Sequence, residues 1–352
     1  MANHFRITIK EIAQEAGVSK QTVSRVLNNR PDVSLKTRKR VQSIIDRNGY
    51  QPSKLARGLT RGRTFTLGVV SSDLHHFGPS HTLMGINKEA RTRGYTLSLS
   101  LVDNLEKICP KTILGNLLSQ HVDGVIWAAV TKDGEVYEQI VAQLAKLPIP
   151  VVATTQPGYP IYTVHVDNCA GAKLAVAHLA KRGYETIGFI AGPSNEWSAQ
   201  QRKTGWKQSL AALGKTADST LIATGDWTAV SGANAFRQLI YQRPDIDAVF
   251  VSNDHMALGA LKAAQEMGLC VPQDLGIVGF DDTPEAGYFT PALTTVRQDL
   301  RQIGRLLVAE LDQQIQAPHK RESNGHPKQT VIQPQLIIRT SSMRQQVELA
   351  QV

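Results

Sequence analysis

From Phe65 onward the chain alternates short, nearly continuous apolar runs with segments of helical period, and few folds accept that alternation. The candidate strands are TFTLGVV, YTLSLSLV, DGVIWAAV and PVVATT, followed by TVHV, ETIGFIAG, STLIATGD, DAVFVSN, LGIVGFDD and ALTTVRQ. Helical patterns such as QIVAQLAKL and GAKLAVAHLAKRGY fill the gaps. Strands that are apolar on both faces and separated by helices predict parallel sheets covered on both sides. Arg93-Gly94-Tyr95 and Arg182-Gly183-Tyr184 each close a helix and open a strand, an echo that predicts two similar α/β subdomains at 65–166 and 167–297. The segments RQIGRLLVAELDQQI and TVIQPQLIIRT are expected to cross back, completing the first subdomain at about 298–325 and the second at about 326–340, with 341–352 as a tail.

In open parallel sheets ligands bind beyond the carboxyl ends of the strands, which is where this sequence turns polar. Those ends carry Ser71, Ser72 and Asp73; Thr154 and Thr155; Asn253 and Asp254; Asp281 and Asp282; and Gln298 and Asp299. Such residues also cap the helices that follow: Asp282 reads as a cap and Asp281 as a contact. Carboxylates, amides and hydroxyls converging on a cleft, with Trp127, Trp206 or Trp227 as a flat apolar wall, suit a neutral polyhydroxylated ligand such as a sugar. None of GxSxG, GxGxxG and GxxxxGK[ST] occurs, so no nucleophile elbow or phosphate-cradling loop marks an enzyme.

The N-terminal part has another character. Thr8 is an N-cap with Glu11 three residues on, the spacing of a capping box, and Ile9, Ile12, Ala13 and Ala16 give the helix they open one apolar face. Gly17 ends that helix, and Ser19 caps a second whose Thr22, Val23, Val26 and Leu27 pack inward. Lys20, Gln21, Ser24 and Arg25 are left outward, and such side chains bond base edges and phosphates. After a polar loop with Pro31, Ser34 caps a third helix with Val41, Ile44 and Ile45 inward; Lys36, Thr37, Arg38 and Arg40 near its start are candidate phosphate clamps. Two helices meeting at a glycine turn also fit an ordinary helical bundle, and charge decides between the readings. Residues 1–63 hold 14 Lys and Arg against 4 Asp and Glu, whereas the rest holds 25 against 26. A basic module on a neutral body is the distribution expected where phosphate neutralisation supplies much of the affinity.

Between the two parts, Gln51–Thr64 is basic and short of large apolar side chains. It reads as a mobile linker in isolation, with Leu55, Ala56 and Leu59 on one face for pairing with a second subunit, and Leu is a side chain that wedges open minor grooves. Cys109, Cys169 and Cys270 lack disulfide or zinc spacing and read as packing residues, and His75, His76 and His81 as surface or pocket-lining rather than metal-binding. The chain contains no apolar run long enough to span a membrane and no signal-type apolar region at its start, so a cytoplasmic protein is expected.

With these stretches assembled, the chain resembles the lactose/galactose repressor family of bacterial transcription regulators over nearly its whole length. The resemblance rests on AGVSKQTVSRVLN, VSLKTRKRV, YQPSKLARGL, GPSHTLMGI, SAQQRKTGW, GDWTA, SNDHMALGALKA, VGFDDTPEAGYFTPALTTVRQD and IGRLL. It implies an α/β architecture with a three-helix helix-turn-helix headpiece at 1–52, a hinge helix at 53–64 that orders on DNA, and a two-lobed core like periplasmic binding proteins. Carried over by position, Lys20, Gln21 and Arg25 read bases and Leu59 is the minor-groove wedge. Thr8, Ser19, Thr22, Ser24, Asn28, Ser34 and Thr37 complete the expected DNA-contacting set. Ser72, Thr154, Arg202, Trp227, Asn253, Asp281 and Gln298 occupy the effector-binding positions. Lys20 departs from a tyrosine, Thr154 from an aspartate and Gln200 from an arginine in the family's lactose-responsive branch. The implied function is a homodimeric repressor on double-stranded, pseudo-palindromic operator DNA, controlled by a galactoside-like sugar effector and needing no cofactor. The tail SSMRQQVELAQV is too short for the leucine heptads of a tetramer. Alternatives are a non-galactoside sugar, sugar-phosphate or nucleobase effector acting as corepressor, and a sugar-binding transport component, which would have no use for the basic headpiece.

Overall fold

The computed structural model describes residues 7–50, 63–72, 74–102, 110–129, 135–154, 156, 160–317 and 329–344. They divide into two compact units between Phe65 and Thr66.

The first unit holds α1 (Ile9–Glu15), α2 (Lys20–Leu27) and α3 (Leu35–Arg47). The capping box forms as its spacing predicts: the Thr8 amide donates to Glu11 Oε2 at 2.6 Å and the Glu11 amide to Thr8 Oγ1 at 3.4 Å. Gly17 adopts φ +59°, the left-handed angle that closes the turn between α1 and α2. Ile12, Ala16, Val23, Val26, Val41 and Ile45 are buried together, so a three-helix core of small and branched side chains holds the unit. Leu55, Ala56 and Leu59 of the linker lie outside the described residues.

The second unit is built from two six-stranded sheets. Its elements are β1 (Thr66–Ser72), α4 (Phe77–Thr92), β2 (Thr96–Val102), α5 (Pro110–Ser119), β3 (Gly124–Ala128), α6 (Glu135–Ala145), β4 (Val151–Ala153) and β5 (Tyr162–Val166). They continue with α7 (Asn168–Lys181), β6 (Ile187–Ala191), α8 (Trp197–Ala212), β7 (Ile222–Thr224), α9 (Ala229–Gln242), β8 (Ala248–Val251), α10 (Asp254–Glu266), β9 (Gly276–Asp281) and β10 (Thr294–Arg297). Last come α11 (Leu300–Gln316), β11 (Gln329–Ile332) and β12 (Gln335–Ile337). The first sheet runs β11-β5-β4-β3-β1-β2, all parallel; the second runs β12-β10-β9-β8-β6-β7, parallel except for β12.

All ten strands read from the apolar runs are present, but the return of the C-terminal segment differs from expectation. Residues 326–340 were expected to complete only the second subdomain. Instead β11 joins the edge of the first sheet, with Val331 beside His165, and β12 alone crosses to the second, antiparallel to β10 with Leu336 beside Val296. Pro334 sits between the two strands; it has no N–H to give a ladder, so the strand breaks there and the chain changes sheets. Three short crossings therefore join the lobes, between β5 and α7, β10 and α11, and β11 and β12.

The sequence echo has a structural counterpart. Tyr95 donates to Asp312 Oδ1 at 2.8 Å and Tyr184 to the Pro272 carbonyl at 3.0 Å, each ring buried where its lobe's first helix gives way to a strand. Burial without loss of the phenol's hydrogen bond is what permits a tyrosine there. In the first lobe α4 and α11 approach so closely that a Cβ on Gly85 would overlap the Arg301 carbonyl. Cys270 is exposed rather than packed, because it lies in the polar turn after α10, its amide donating to Asp274 Oδ2 at 2.7 Å.

Candidate functional site

In the headpiece, α2 buries Val23 and Val26 and leaves Lys20, Gln21 and Arg25 exposed. For Gln21 and Arg25 the periodicity dictates this, since residues one and two positions from a buried residue fall on other faces of the helix; Lys20 is exposed at the first position of α2. The smaller polar residues already have local partners. Ser19 Oγ accepts the Thr22 amide at 3.1 Å, Ser34 Oγ accepts the Thr37 amide at 3.3 Å, and Asn28 Nδ2 donates to the Ser24 carbonyl at 2.8 Å. Arg25 lies 3.5 Å from Asp32, with both side chains about half exposed; such a pair is worth little in water, and the guanidinium can turn to another anion. Arg38, a candidate phosphate clamp, is committed instead: its guanidinium holds the loop after α2 through Asn29 Oδ1 at 3.3 Å and the Arg30 carbonyl.

In the second unit a cleft of about 210 Å³ lies between the two sheets, at the carboxyl ends of their strands. Thr154, Arg202, Trp227, Asn253, Asp281 and Gln298, six of the seven expected effector positions, line it together. The seventh, Ser72, ends β1 outside the lining. Trp127 and Trp206 are not walls: both are buried in the lobe interiors, Trp206 stacking on Phe189 at 5.5 Å. They sit at positions where the apolar pattern continues inward, so burial takes the ring.

Arg202, on α8, is 5% exposed. Its Nε donates to Asn168 Oδ1 at 2.8 Å, its Nη1 to the Ser252 carbonyl, and its Cζ lies 3.8 Å from the Phe280 ring centroid. A guanidinium remains protonated in proteins, so a fixed positive fork faces the cleft. Asp281 ends β9 at φ +122° and accepts from Gln298 Nε2 at 2.6 Å. Burial pushes its carboxyl up to about 6, against the pull of Arg202 and the Gln298 hydrogen bond. Asp254, wholly buried behind it, is raised well above the carboxylate range by burial and by the nearby Asp281 charge. It accepts from the Thr283 amide at 2.8 Å and Thr295 Oγ1 at 2.6 Å.

Asn253 has two tasks: its Oδ1 caps α10 through the Met256 amide at 2.9 Å, and its Nδ2 donates to the Trp227 carbonyl at 3.0 Å. Trp227 adopts φ +75° and donates from Nε1 to Glu196 Oε2 at 3.0 Å. Bulky residues rarely take positive φ, and strain of this kind collects at functional sites. Asp282, at φ +56°, is not a cap. It accepts from Arg297 Nε at 2.6 Å and Arg339 Nη2 at 2.7 Å, while Thr283 begins the short helix after it without a side-chain cap.

Residues at the ends of β5 and β6, which the sequence pattern did not single out, add to the wall. His165 and Asn168 follow from β5, Glu196 and Trp197 from β6, and all four line the cleft with His76 and Phe77 from the start of α4. The same rule of polar and aromatic residues at strand ends would have found them. Among the described residues no group of three or more His, Cys, Asp or Glu is placed to hold a metal ion. No described helix is long and apolar enough to cross a membrane.

Comparison with known proteins agrees with both halves. Residues 8–53 match the model of bacterial regulatory proteins of the lacI family, and residues 176–342 that of a periplasmic binding protein-like domain. The chain is 36% identical to catabolite control protein A of Priestia megaterium over 90% of its own length and 98% of that protein's. It is 33% identical to the lactose operon repressor of Escherichia coli (strain K12) over 87% of its own length and 84% of that protein's. The solved lac repressor dimer, bound to operator and the anti-inducer ONPF, superposes with a TM-score of 0.85 at 31% identity, covering 96% of this chain and 99% of that one. The chain belongs to the lacI family of bacterial regulatory proteins: a DNA-binding transcription regulator in which a helix-turn-helix headpiece is joined to a periplasmic-binding-like core.

Proposed function

We propose that this regulator is a homodimeric repressor whose operator affinity is set by a neutral, galactoside-like sugar in the cleft between its lobes. The observation that carries the reading is the placement of Arg202 and Asp281 beside Trp227 in one cavity. A planar donor fork, a carboxylate acceptor and an aromatic face are the three things a pyranose ring needs to be oriented. Among the described residues lining the cleft, Arg202 is the one Lys or Arg, against the carboxylates of Asp281 and Glu196. A phosphate would meet a net negative lining, which disfavours the sugar-phosphate alternative.

Lys20, Gln21 and Arg25 read the major groove, with Thr8, Ser19, Thr22, Ser24, Asn28, Ser34 and Thr37 as backbone contacts or as caps that place them. Leu59 is the proposed minor-groove wedge, paired with its copy in the second subunit. The solved dimer of the lac repressor on its operator supports the assembly. Closure of the cleft around sugar changes the separation of the two linkers and releases the hinge. Coupling of roughly 1–3 kcal/mol alters operator affinity about 5- to 150-fold, and by reciprocity operator alters sugar affinity by the same factor. Calorimetric titration of the full chain with galactosides, with and without operator duplex, tests this. Equal sugar affinities in the two titrations would overturn it.

A further inference from the structure

The cleft contains more aromatic wall than one sugar ring uses. Trp227, backed by Arg202, Asn253 and Asp281, forms one platform. A second indole, Trp197, opens α8 and lines the same cleft. Its ring meets the His165 imidazole edge-on, with centroids 5.2 Å apart and planes at 88°. His165 comes from β5 of the first lobe and Trp197 from α8 of the second, so this pair bridges the lobes.

His165 Nδ1 is buried without a hydrogen-bond partner. Such an atom costs stability until something meets it. Burial holds the imidazole below its ordinary range, against the pull of Asp167, which keeps it uncharged at neutral pH. Trp197 and His165 thus offer an apolar face and a neutral donor or acceptor, beside Thr154 and Phe77. That chemistry accepts a second neutral, hydroxylated ring and gives a phosphate nothing to bind.

Resting on the effector reading above, we infer that the cleft is built for a disaccharide, its terminal ring on Trp227 and its second ring on the platform of Trp197 and His165. The second ring touches both lobes, so it is the part of the ligand that senses closure.

The test is calorimetric binding to the full chain of lactose, melibiose, cellobiose and maltose, beside galactose and glucose. One disaccharide is expected to bind at least about 10-fold tighter than either monosaccharide. Trp197→Ala should bring it down to the affinity of its terminal sugar, Trp197→Phe should keep most of the preference, and Trp227→Ala should weaken disaccharide and monosaccharide alike. A monosaccharide that binds as tightly as every disaccharide overturns the second subsite and leaves the effector reading standing. Equal losses for both ligand classes in Trp197→Ala do the same. Failure of all six sugars to bind, with operator binding intact, overturns the effector reading itself.

Discussion

The indole of Trp227 lies directly on Gly192, so closely that any Cβ at residue 192 would overlap the ring. The two residues come from different strand ends, Gly192 after β6 and Trp227 after β7. The missing side chain makes room for the ring against the backbone, and the Glu196 hydrogen bond fixes its Nε1. A wall held this way is in place before ligand arrives, which removes part of the ordering cost of binding.

Gly192→Ala should therefore displace the ring without touching the ligand itself. The expected result is a loss of sugar affinity of about 10-fold or more, equivalent to roughly 1.4 kcal/mol, with operator affinity in the absence of sugar retained. Calorimetric titration of the variant measures the first and a gel-shift titration the second. Wild-type sugar affinity in Gly192→Ala would show that the ring's position does not matter.

Asp282 ties together two strands and the C-terminal segment, through Arg297 and Arg339. Its side chain is 7% exposed while that of Arg297 is 50% exposed, so one arm of the pair is screened and the other is not. Removing a buried carboxylate leaves guanidinium groups short of a partner, and Asp282→Ala should cost about 3 kcal/mol of stability. Urea denaturation checks this; a loss below about 1 kcal/mol would put the pair with surface ion pairs.

The strands and the helices of the headpiece were legible because each depends on local pattern: caps, glycine turns and apolar period. The cleft was legible in part for a similar reason, since polar residues at strand ends reveal themselves one strand at a time. Trp197 and His165 are not legible in this way, because their meeting depends on how the two lobes face each other. The fate of β11 escaped because a sheet edge accepts any short strand that reaches it. Asp282 looked like a cap because a cap and a tertiary ion pair ask for the same side chain; only the distant Arg339 separates them.

In the headpiece, Gln21 is exposed on α2, whereas Lys36 lies on the exposed start of α3. A base contact and a phosphate contact fail differently. Gln21→Ala should weaken binding to the cognate operator by about 1–3 kcal/mol and relax preference at one base pair. Lys36→Ala should weaken binding to all duplexes equally and reduce the salt slope by about 1. Operator and scrambled duplexes titrated across salt concentrations separate the two, and a uniform loss for Gln21→Ala would remove it from base reading.

Asp281 makes the two functions of the cleft respond to pH with opposite signs. Its carboxyl titrates near 6, against 3.8 for an unburied aspartate. Between those values the folded protein holds the proton more often than the unfolded chain does, so this group makes the free protein more stable as pH falls from about 6 toward about 4. Asp254, raised by the same burial, acts in the same direction. Sugar binding runs the other way, because a protonated carboxyl surrenders an acceptor that the sugar hydroxyls need. One unit below its titration point roughly a tenth of the carboxyl remains ionised, so affinity should fall about 10-fold between pH of about 7.5 and about 5. Asp281→Asn should flatten this dependence and lower affinity at neutral pH. Calorimetry and thermal melting at several pH values measure both halves, and a sugar affinity that stays constant across this window in the wild type would mean that Asp281 is not the acceptor.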